Sequence, residues 1–198
     1  MSRPASETVI LSAEQLSRTL TRIAHEILEK NPVGAPLAVV GIHTRGAVLG
    51  ERLHALLCSF AGCEIASGAL DISFYRDDVS ARQGGAPVPL APQPLVKDTN
   101  LPFEIEGRTI VLVDDVLYTG RTIRAAIDAL FDFGRPDRVQ LAVLVDRGHR
   151  ELPIRPDFIG KNLPTSLTER IKVRVAEIDG VDEVVLVRPV READLGQA

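Results

Sequence analysis

Asp114 and Asp115 stand side by side at the end of the apolar run Ile110-Val-Leu-Val113, and a few residues later the chain reads Thr119-Gly120-Arg121-Thr122 before a helical pattern begins. A glycine between hydroxyl-bearing residues at a helix start gathers backbone N–H groups, two hydroxyls and the positive helix end around one point, which suits a phosphate. Two adjacent carboxylates repel that phosphate. They suit a pair of vicinal hydroxyls, as acceptors, or a hydrated cation. A ligand with a phosphate at one end and a diol about one sugar ring away, such as ribose 5-phosphate, meets both demands. On spacing alone, an acidic pair that merely caps the following helix is the plainer alternative. A Walker nucleotide loop is a weak one, because Gly-x4-Gly-Lys-Ser/Thr occurs nowhere in the chain.

Such a site needs strands to hold it. Leu37 to Ile42 is a continuous apolar run, as is Thr109 to Val113, and Val139 to Val145 is a third. Runs of this kind mark strands buried on both faces. The first is followed by the polar loop His43-Thr44-Arg45-Gly46 and helical spacing from Ala47 to Leu57; the second leads through Asp114 to Thr122 into a helix from about Arg121 to Phe133. Repeated strand, loop and helix order predicts a mainly parallel sheet with right-handed crossovers, and its ligands then sit beyond the carboxyl ends of the strands. Upstream, Ser12 and Gln15 match a capping box that opens a helix, with Leu16, Leu20, Ile23, Ala24, Ile27 and Leu28 on one stripe and Asn31-Pro32 as its stop. The first ten residues read as a short tail leading to an edge strand at Thr8 to Leu11.

Glu64 to Arg76 alternates in a way that predicts one or two half-exposed strands. Asp77 to Pro102 then holds five prolines and Gly84-Gly85, which exclude a helix or central strand, so a flexible loop of about 77–103 is expected. Phe158-Ile159, Ile171 to Ala176 and Glu183 to Val187 read as further strands, the last two separated by an Asp179-Gly180 turn. A frayed tail is expected at about 188–198. At 198 residues, one domain spanning 1–198 is the working assumption. The first residues lack an apolar signal core and no run reaches the length of a membrane span, so a cytoplasmic protein is expected. Cys58 and Cys63 are the only cysteines, too few for a disulfide framework or an evident zinc site. A net charge of -4 gives no global sign of nucleic-acid binding.

The stretch Val111-Leu-Val-Asp-Asp-Val-Leu-Tyr-Thr-Gly-Arg-Thr122 resembles the phosphoribosyl pyrophosphate (PRPP) motif of the type I phosphoribosyltransferases. Leu20 to Glu26, Thr44-Arg45-Gly46, Val145 to Arg155 and Ile159 to Ser166 narrow that resemblance to the PyrR family of bifunctional pyrimidine-operon attenuation regulators and uracil phosphoribosyltransferases, over roughly residues 9–187. The resemblance implies an α/β type I phosphoribosyltransferase fold, with a mainly parallel central sheet flanked by helices, a small hood and a long flexible loop. It implies that Asp114 and Asp115 hold the ribose hydroxyls and that Val116, Leu117, Tyr118, Thr119, Gly120, Arg121 and Thr122 form the nucleotide loop. Thr44 and Arg45 match the pyrophosphate loop, so Asp114, Asp115 and Arg45 are the catalytic candidates. Arg76 is a second pyrophosphate contact, and Arg147 lies near the base. No metal is expected directly on the protein; Mg²⁺ arrives with PRPP.

The same resemblance assigns Thr21, His25 and Lys30, with His149, Arg150, Arg155 and Lys161, to an RNA surface. Its implied partners are PRPP, uracil, UMP or UTP, pyrimidine-operon leader RNA and further copies of the chain in a homodimer or larger homo-oligomer, with no membrane. Local charge does not point to RNA independently: four Lys or Arg face three Asp or Glu between Asp146 and Lys161. The alternative is a phosphoribosyltransferase without regulation, acting on this or another base. Two departures stand out from the family pattern. His43 occupies a position where lysine is more typical, and the loop after Asp78 is longer and richer in Gly and Pro.

Overall fold

The computed structural model describes residues 5–73, 75 and 99–189. Helix α1 (Ala13–Lys30) opens on the expected box: Ser12 N–H donates to Gln15 Oε1 at 2.9 Å, and Gln15 N–H donates to Ser12 Oγ. Leu16, Leu20, Ile23, Ala24 and Ile27 are its buried stripe. Asn31 ends it, with its buried amide donating to Ile27 O and to Gln140 Oε1.

Five strands, β3 (Ala66–Leu70), β2 (Leu37–Ile42), β4 (Thr109–Leu117), β5 (Arg138–Asp146) and β6 (Phe158–Asn162), lie side by side in that order, all parallel. Val39, Val111, Val113, Ala142 and Leu144 pack toward α1 and α2 (Arg45–Ala61), whereas Ala38, Val40, Ile110, Leu112, Leu141 and Val143 pack toward α3 (Arg121–Phe131). Both faces are covered, which is why the strands read as apolar runs rather than alternating ones. Helix α2 is longer at both ends than its expected span of Ala47 to Leu57. It turns at Arg45 and continues until Gly62, whose φ of 66° allows the left-handed stop.

A second sheet joins the two ends of the described chain. Strands β1 (Ala5–Leu11), β8 (Glu183–Pro189) and β7 (Arg170–Arg174) pair antiparallel in that order and form the hood. Glu7 accepts from Lys172 and from Arg174, and Arg174 also pairs with Glu183, so charge pairs lace one surface of the sheet. Strand β1 thus starts before the expected Thr8, and β8 takes in Arg188 and Pro189, which the expected tail had claimed. Residues 190–198 lie outside the described residues. In place of the expected Asp179-Gly180 turn alone, a short helix, α4 (Ala176–Asp179), precedes Gly180.

Of the expected loop, 77–98 lies outside the described residues, together with Phe74 and Arg76. Its end is packed: Ala69 and Asn100 exchange two backbone bonds of 2.9 Å, and Leu101 and Phe103 join the α3-side core. Residues 64–73 contribute one strand, β3; Ile72 beyond it is buried without joining a strand. Among the described residues no helix is long and apolar enough to cross a membrane.

Candidate active site

Strand β4 carries the acidic pair inside it rather than ahead of the loop, a correction to the strand end expected at Val113. Asp114 lies opposite Val143 and Val116 opposite Val145, so pairing continues past the carboxylates. Along β4 the alternation slips: Val111, Val113 and Val116 belong to one core, and Ile110, Leu112 and Leu117 to the other. The aspartates occupy the slip. Asp114 Oδ1 accepts Asp115 N–H at 2.9 Å and Asp115 Oδ1 accepts Val116 N–H at 2.7 Å, local bonds that compete with the ladder. Asp114 is buried and Asp115 half-buried. Burial raises the Asp115 carboxyl above its ordinary value, against the opposing pull of the Val116 amide, the Arg45 charge and Asp114.

Arg45 reaches this pair from the neighbouring strand end. The His43–Thr44 peptide is cis, and Thr44 is the N-cap of α2 without a side-chain cap bond. A Cβ on Gly46 would lie 2.6 Å from Val113 O, so only glycine lets the first turn of α2 rest on β4 beside Asp114. The Arg45 guanidinium donates through Nε and Nη2 to Asp179 of α4, at 3.2 and 2.8 Å. Asp179 holds the Arg45 pKa up, with the Asp115 charge adding to it, and is itself held below the usual carboxylate range, chiefly by Arg45. Two of the guanidinium's donor edges are thereby aimed, and Nη1 is left out of that pair. Asp179→Asn should lower kcat/KM for PRPP about tenfold by loosening this aim, with the Tm close to wild type; steady-state kinetics at varied PRPP read it.

The nucleotide loop is shaped from the other side by residues 146–155. Gly120, at φ 94°, is the N-cap of α3 and packs its backbone against Leu152 and Ile154. Thr119 O accepts Glu151 N–H at 3.0 Å and Leu152 N–H at 3.2 Å, and Arg121 pairs with Glu151. Thr119 Oγ1 accepts Arg121 N–H at 3.4 Å. Val116 and Leu117 turn their side chains into the two cores, and Val116 N–H and Leu117 O are taken by Asp115 Oδ1 and Arg147 N–H.

Arg147 and Arg150 are clamps in this arrangement. The Arg147 guanidinium, 4.1 Å from the Tyr118 ring centroid, donates to Thr165 Oγ1, Ser166 O and Glu169 O, and so moors the segment before β7. Arg150 donates to Ile154 O, Tyr118 O, Gly148 O and Asp146. His149, at φ 60°, bonds Thr165 O at 2.5 Å and meets Tyr118 edge-on. His149 and Arg150 are thus tied to the nucleotide loop.

Of the remaining RNA candidates, Thr21, His25 and Lys30 lie on α1, Lys161 on β6 and Arg155 just before β6. Arg22 donates to Ile159 O and Gly160 O at 3.1 and 2.6 Å, and Lys30 pairs with Asp157. Glycine at 160 permits this approach, since a Cβ there would meet Leu144 O at 2.3 Å and Thr19 Cγ2 at 2.7 Å. His25, Lys30 and Arg155 are exposed, and Thr21 and Lys161 partly so. Sequence reading gave no role to Asp179, Arg22 or Phe60, which stacks on His25; the partners that matter, Arg45, the β6 carbonyls and His25, are distant in sequence. It also passed over His54, which lies one turn from Cys58 and forms with Glu64 a group of ligand-type atoms within 4.8 Å of one another. His54 Nε2, the atom nearest Cys58 Sγ, is spent on Ile65 O at 2.7 Å.

The family model described as "Phosphoribosyl transferase domain" matches residues 7–172. A relative named "Bifunctional protein PyrR" from Chloroflexus aurantiacus is 56% identical over 183 residues, covering 92% of this chain and 96% of that protein. Another of the same name from Thermus thermophilus is 54% identical over 177 residues, covering 89% and 93%. Among solved structures, a hypoxanthine phosphoribosyltransferase from Trypanosoma cruzi superposes with a TM-score of 0.68 at 19% identity, over 93% of this chain and 96% of that one. One from Staphylococcus aureus gives 0.63 at 18% identity, covering 94% of each. At such identities these two speak for the fold alone, the type I phosphoribosyltransferase fold. The sheet order, the acidic pair in β4 and a near full-length match at more than half identity lead to one conclusion: the chain belongs to the PyrR family of phosphoribosyltransferase-fold proteins.

Proposed function

We propose that the protein is an RNA-binding attenuator of pyrimidine-operon transcription that responds to uridine nucleotides and also makes UMP and pyrophosphate from uracil and PRPP, in the cytoplasm. The observation that carries this reading is the convergence of the acidic pair of β4, the α3 start at Gly120 and Arg45 at the start of α2. Asp114 and Asp115 accept the ribose hydroxyls, the Thr119–Thr122 backbone and hydroxyls cradle the 5′-phosphate, and Thr44 with Arg45 takes the pyrophosphate. Arg76, outside the described residues, is a further pyrophosphate contact. Uracil N1, giving up its proton, displaces pyrophosphate at C1. Bond breaking runs ahead of bond making, so positive charge develops on the sugar ring and negative charge on the leaving group. The protein aligns the reactants, excludes water and meets the pyrophosphate charge with Arg45.

Asp114 and Asp115 each already accept a main-chain N–H. They offer too few oxygens for a protein-built octahedral cage. Mg²⁺ would arrive with PRPP and would supply neutralisation of the pyrophosphate charge. Pyrophosphate release from PRPP and Mg²⁺ should therefore require uracil; greater activity with guanine or hypoxanthine would overturn the choice of base.

The regulatory half rests on continuity between the two surfaces. Residues 150–155 lace onto the nucleotide loop through Arg150, Glu151 and Leu152 and run on to the exposed Arg155, one of the proposed RNA contacts. A packed path of this kind can carry coupling between two sites. UMP should tighten leader-RNA binding in a gel shift. His25→Ala combined with Arg155→Ala should weaken it at least about tenfold, and Arg150→Ala should bind RNA but lose most of the UMP effect. Equal affinity with and without UMP in wild type would sink the sensor. A homodimer or larger homo-oligomer is part of this reading, supported by exposed Phe131 and Phe133 at the end of α3 and read by sedimentation.

A further inference from the structure

The last turn of α2 presents an aromatic side chain that neither the fold nor the proposed reaction uses. Leu49, Leu53 and Leu57 form the buried stripe of this helix. Phe60, three residues beyond Leu57, sits outside the core clusters and is 40% exposed. It is not an isolated exposed apolar residue of the ordinary kind. Its ring lies parallel to the His25 ring of α1, with centroids 4.3 Å apart and planes 8° from coplanar. Two helices thus contribute one ring each to a stacked pair at the surface, and its His25 stands one helical turn from Thr21 on α1.

We infer that the His25–Phe60 pair is a stacking platform for an unpaired RNA base, with Phe60 a base-contacting residue in its own right. This rests on the RNA-binding reading given above. Proteins read RNA sequence mainly from loop and bulge bases splayed out onto aromatic side chains, and a π-face accepts any base. Phe60 offers such a face and no hydrogen-bonding group. Its contribution is therefore apolar stacking, independent of phosphate charge, whereas Lys30, Arg155 and Lys161 supply the charge-dependent share. A second copy of the chain is the competing occupant of an exposed phenylalanine.

The test compares wild type, Phe60→Ala and Phe60→Tyr as full-length proteins. The probe is a stem-loop from the pyrimidine-operon leader of the protein's own genome, with 2-aminopurine replacing its loop and bulge adenines one at a time, in the presence of UMP. At one labelled position, wild type should quench the 2-aminopurine on binding. Phe60→Ala should lose that quench and bind about tenfold more weakly. Its salt dependence should keep the wild-type slope, because no phosphate contact is removed. Phe60→Tyr should retain both quench and affinity, and uracil phosphoribosyltransferase activity should be unchanged in all three. Wild-type affinity and quenching in Phe60→Ala would overturn the inference while leaving the RNA-binding reading intact. A lowered sedimentation coefficient in Phe60→Ala accompanying the weaker binding would assign the residue to self-association instead. Failure of wild type to bind any leader stem-loop would remove the RNA-binding reading itself, and this inference with it.

Discussion

Asp115→Asn should cost the enzyme about a hundredfold or more in kcat/KM for PRPP and at the same time make the ligand-free protein more stable. The two effects have one origin. Asp115 is carried on β4 among buried residues, with Oδ1 spent on the Val116 N–H, and burial raises its pKa although Arg45 lies nearby. A raised carboxyl means that the folded chain holds the proton more tightly than the unfolded chain does. Stability then falls as pH rises from the unfolded value of 3.8 through the raised folded one, and at neutral pH the ionised side chain is a net cost. Asparagine keeps the size and the acceptor for Val116 N–H but removes the charge. Its Tm at pH 7 should exceed wild type, and the difference should close on acidification. The ribose diol supplies donors to the charged form, so PRPP should stabilise wild type more than the variant. Thermal melts at several pH values with and without PRPP, beside initial rates of pyrophosphate release, check each part. An unchanged rate, or a variant less stable than wild type at pH 7, would show that the carboxylate is not a strained ligand group.

Which parts of this site could be read from the chain follows from how far apart the interacting residues are. The strands β2, β4 and β5 announced themselves because both faces of each are buried, and α1 did so because Ser12 and Gln15 close a box within one turn. Asp114 and Asp115 were legible as chemistry but not as strand. The pairing of Asp114 with Val143 and the slip in side-chain alternation have no composition signature, and charged residues after an apolar run look like a loop. The hood was harder still. Its strands β1 and β8 lie at opposite ends of the chain, and the start of β1, Ala5 to Glu7, has no apolar alternation of its own; the carboxylate of Glu7 finds Lys172 and Arg174 only after folding. Arg147 and Arg150 looked like free cations suited to ligand or RNA, yet five neighbouring carbonyls, the Thr165 hydroxyl and the Asp146 carboxylate take up their donors. Residue type conveyed their charge, and only the tertiary structure reveals that it is used to fasten loops. Asp179 and Phe60 make the same point from the other side, since their significance lies wholly in Arg45 and His25.

Gly46→Ala should damage catalysis nearly as much as loss of an acidic residue, although it removes no charged group. The added Cβ would stand 2.6 Å from Val113 O and 3.1 Å from Asp114 Cα, both main-chain atoms that cannot rotate away. Either α2 lifts from β4 or β4 bends, and Arg45 and Asp114 separate in both cases. The contact is part of a wider close approach: a Cβ on Gly41 of β2 would meet Ala47 Cα and Gly46 O at 2.5 Å, and one on Gly50 would meet Gly41 Cα at 3.1 Å. Glycines on both partners let the helix start rest directly on two strand ends, which brings Arg45 and the acidic pair to one place. Overpacking of this kind costs about 1–3 kcal/mol in stability, and a displacement of about 1 Å between catalytic elements costs on the order of a hundredfold in rate. Gly50→Ala is the graded comparison, because its nearest clash is milder and lies a turn further from Arg45. It should lose some stability but keep most of its activity. The measurement is kcat/KM for PRPP together with the urea midpoint for both variants. Wild-type kinetics in a folded Gly46→Ala protein would mean that the spacing between Arg45 and the acidic pair does not govern the rate.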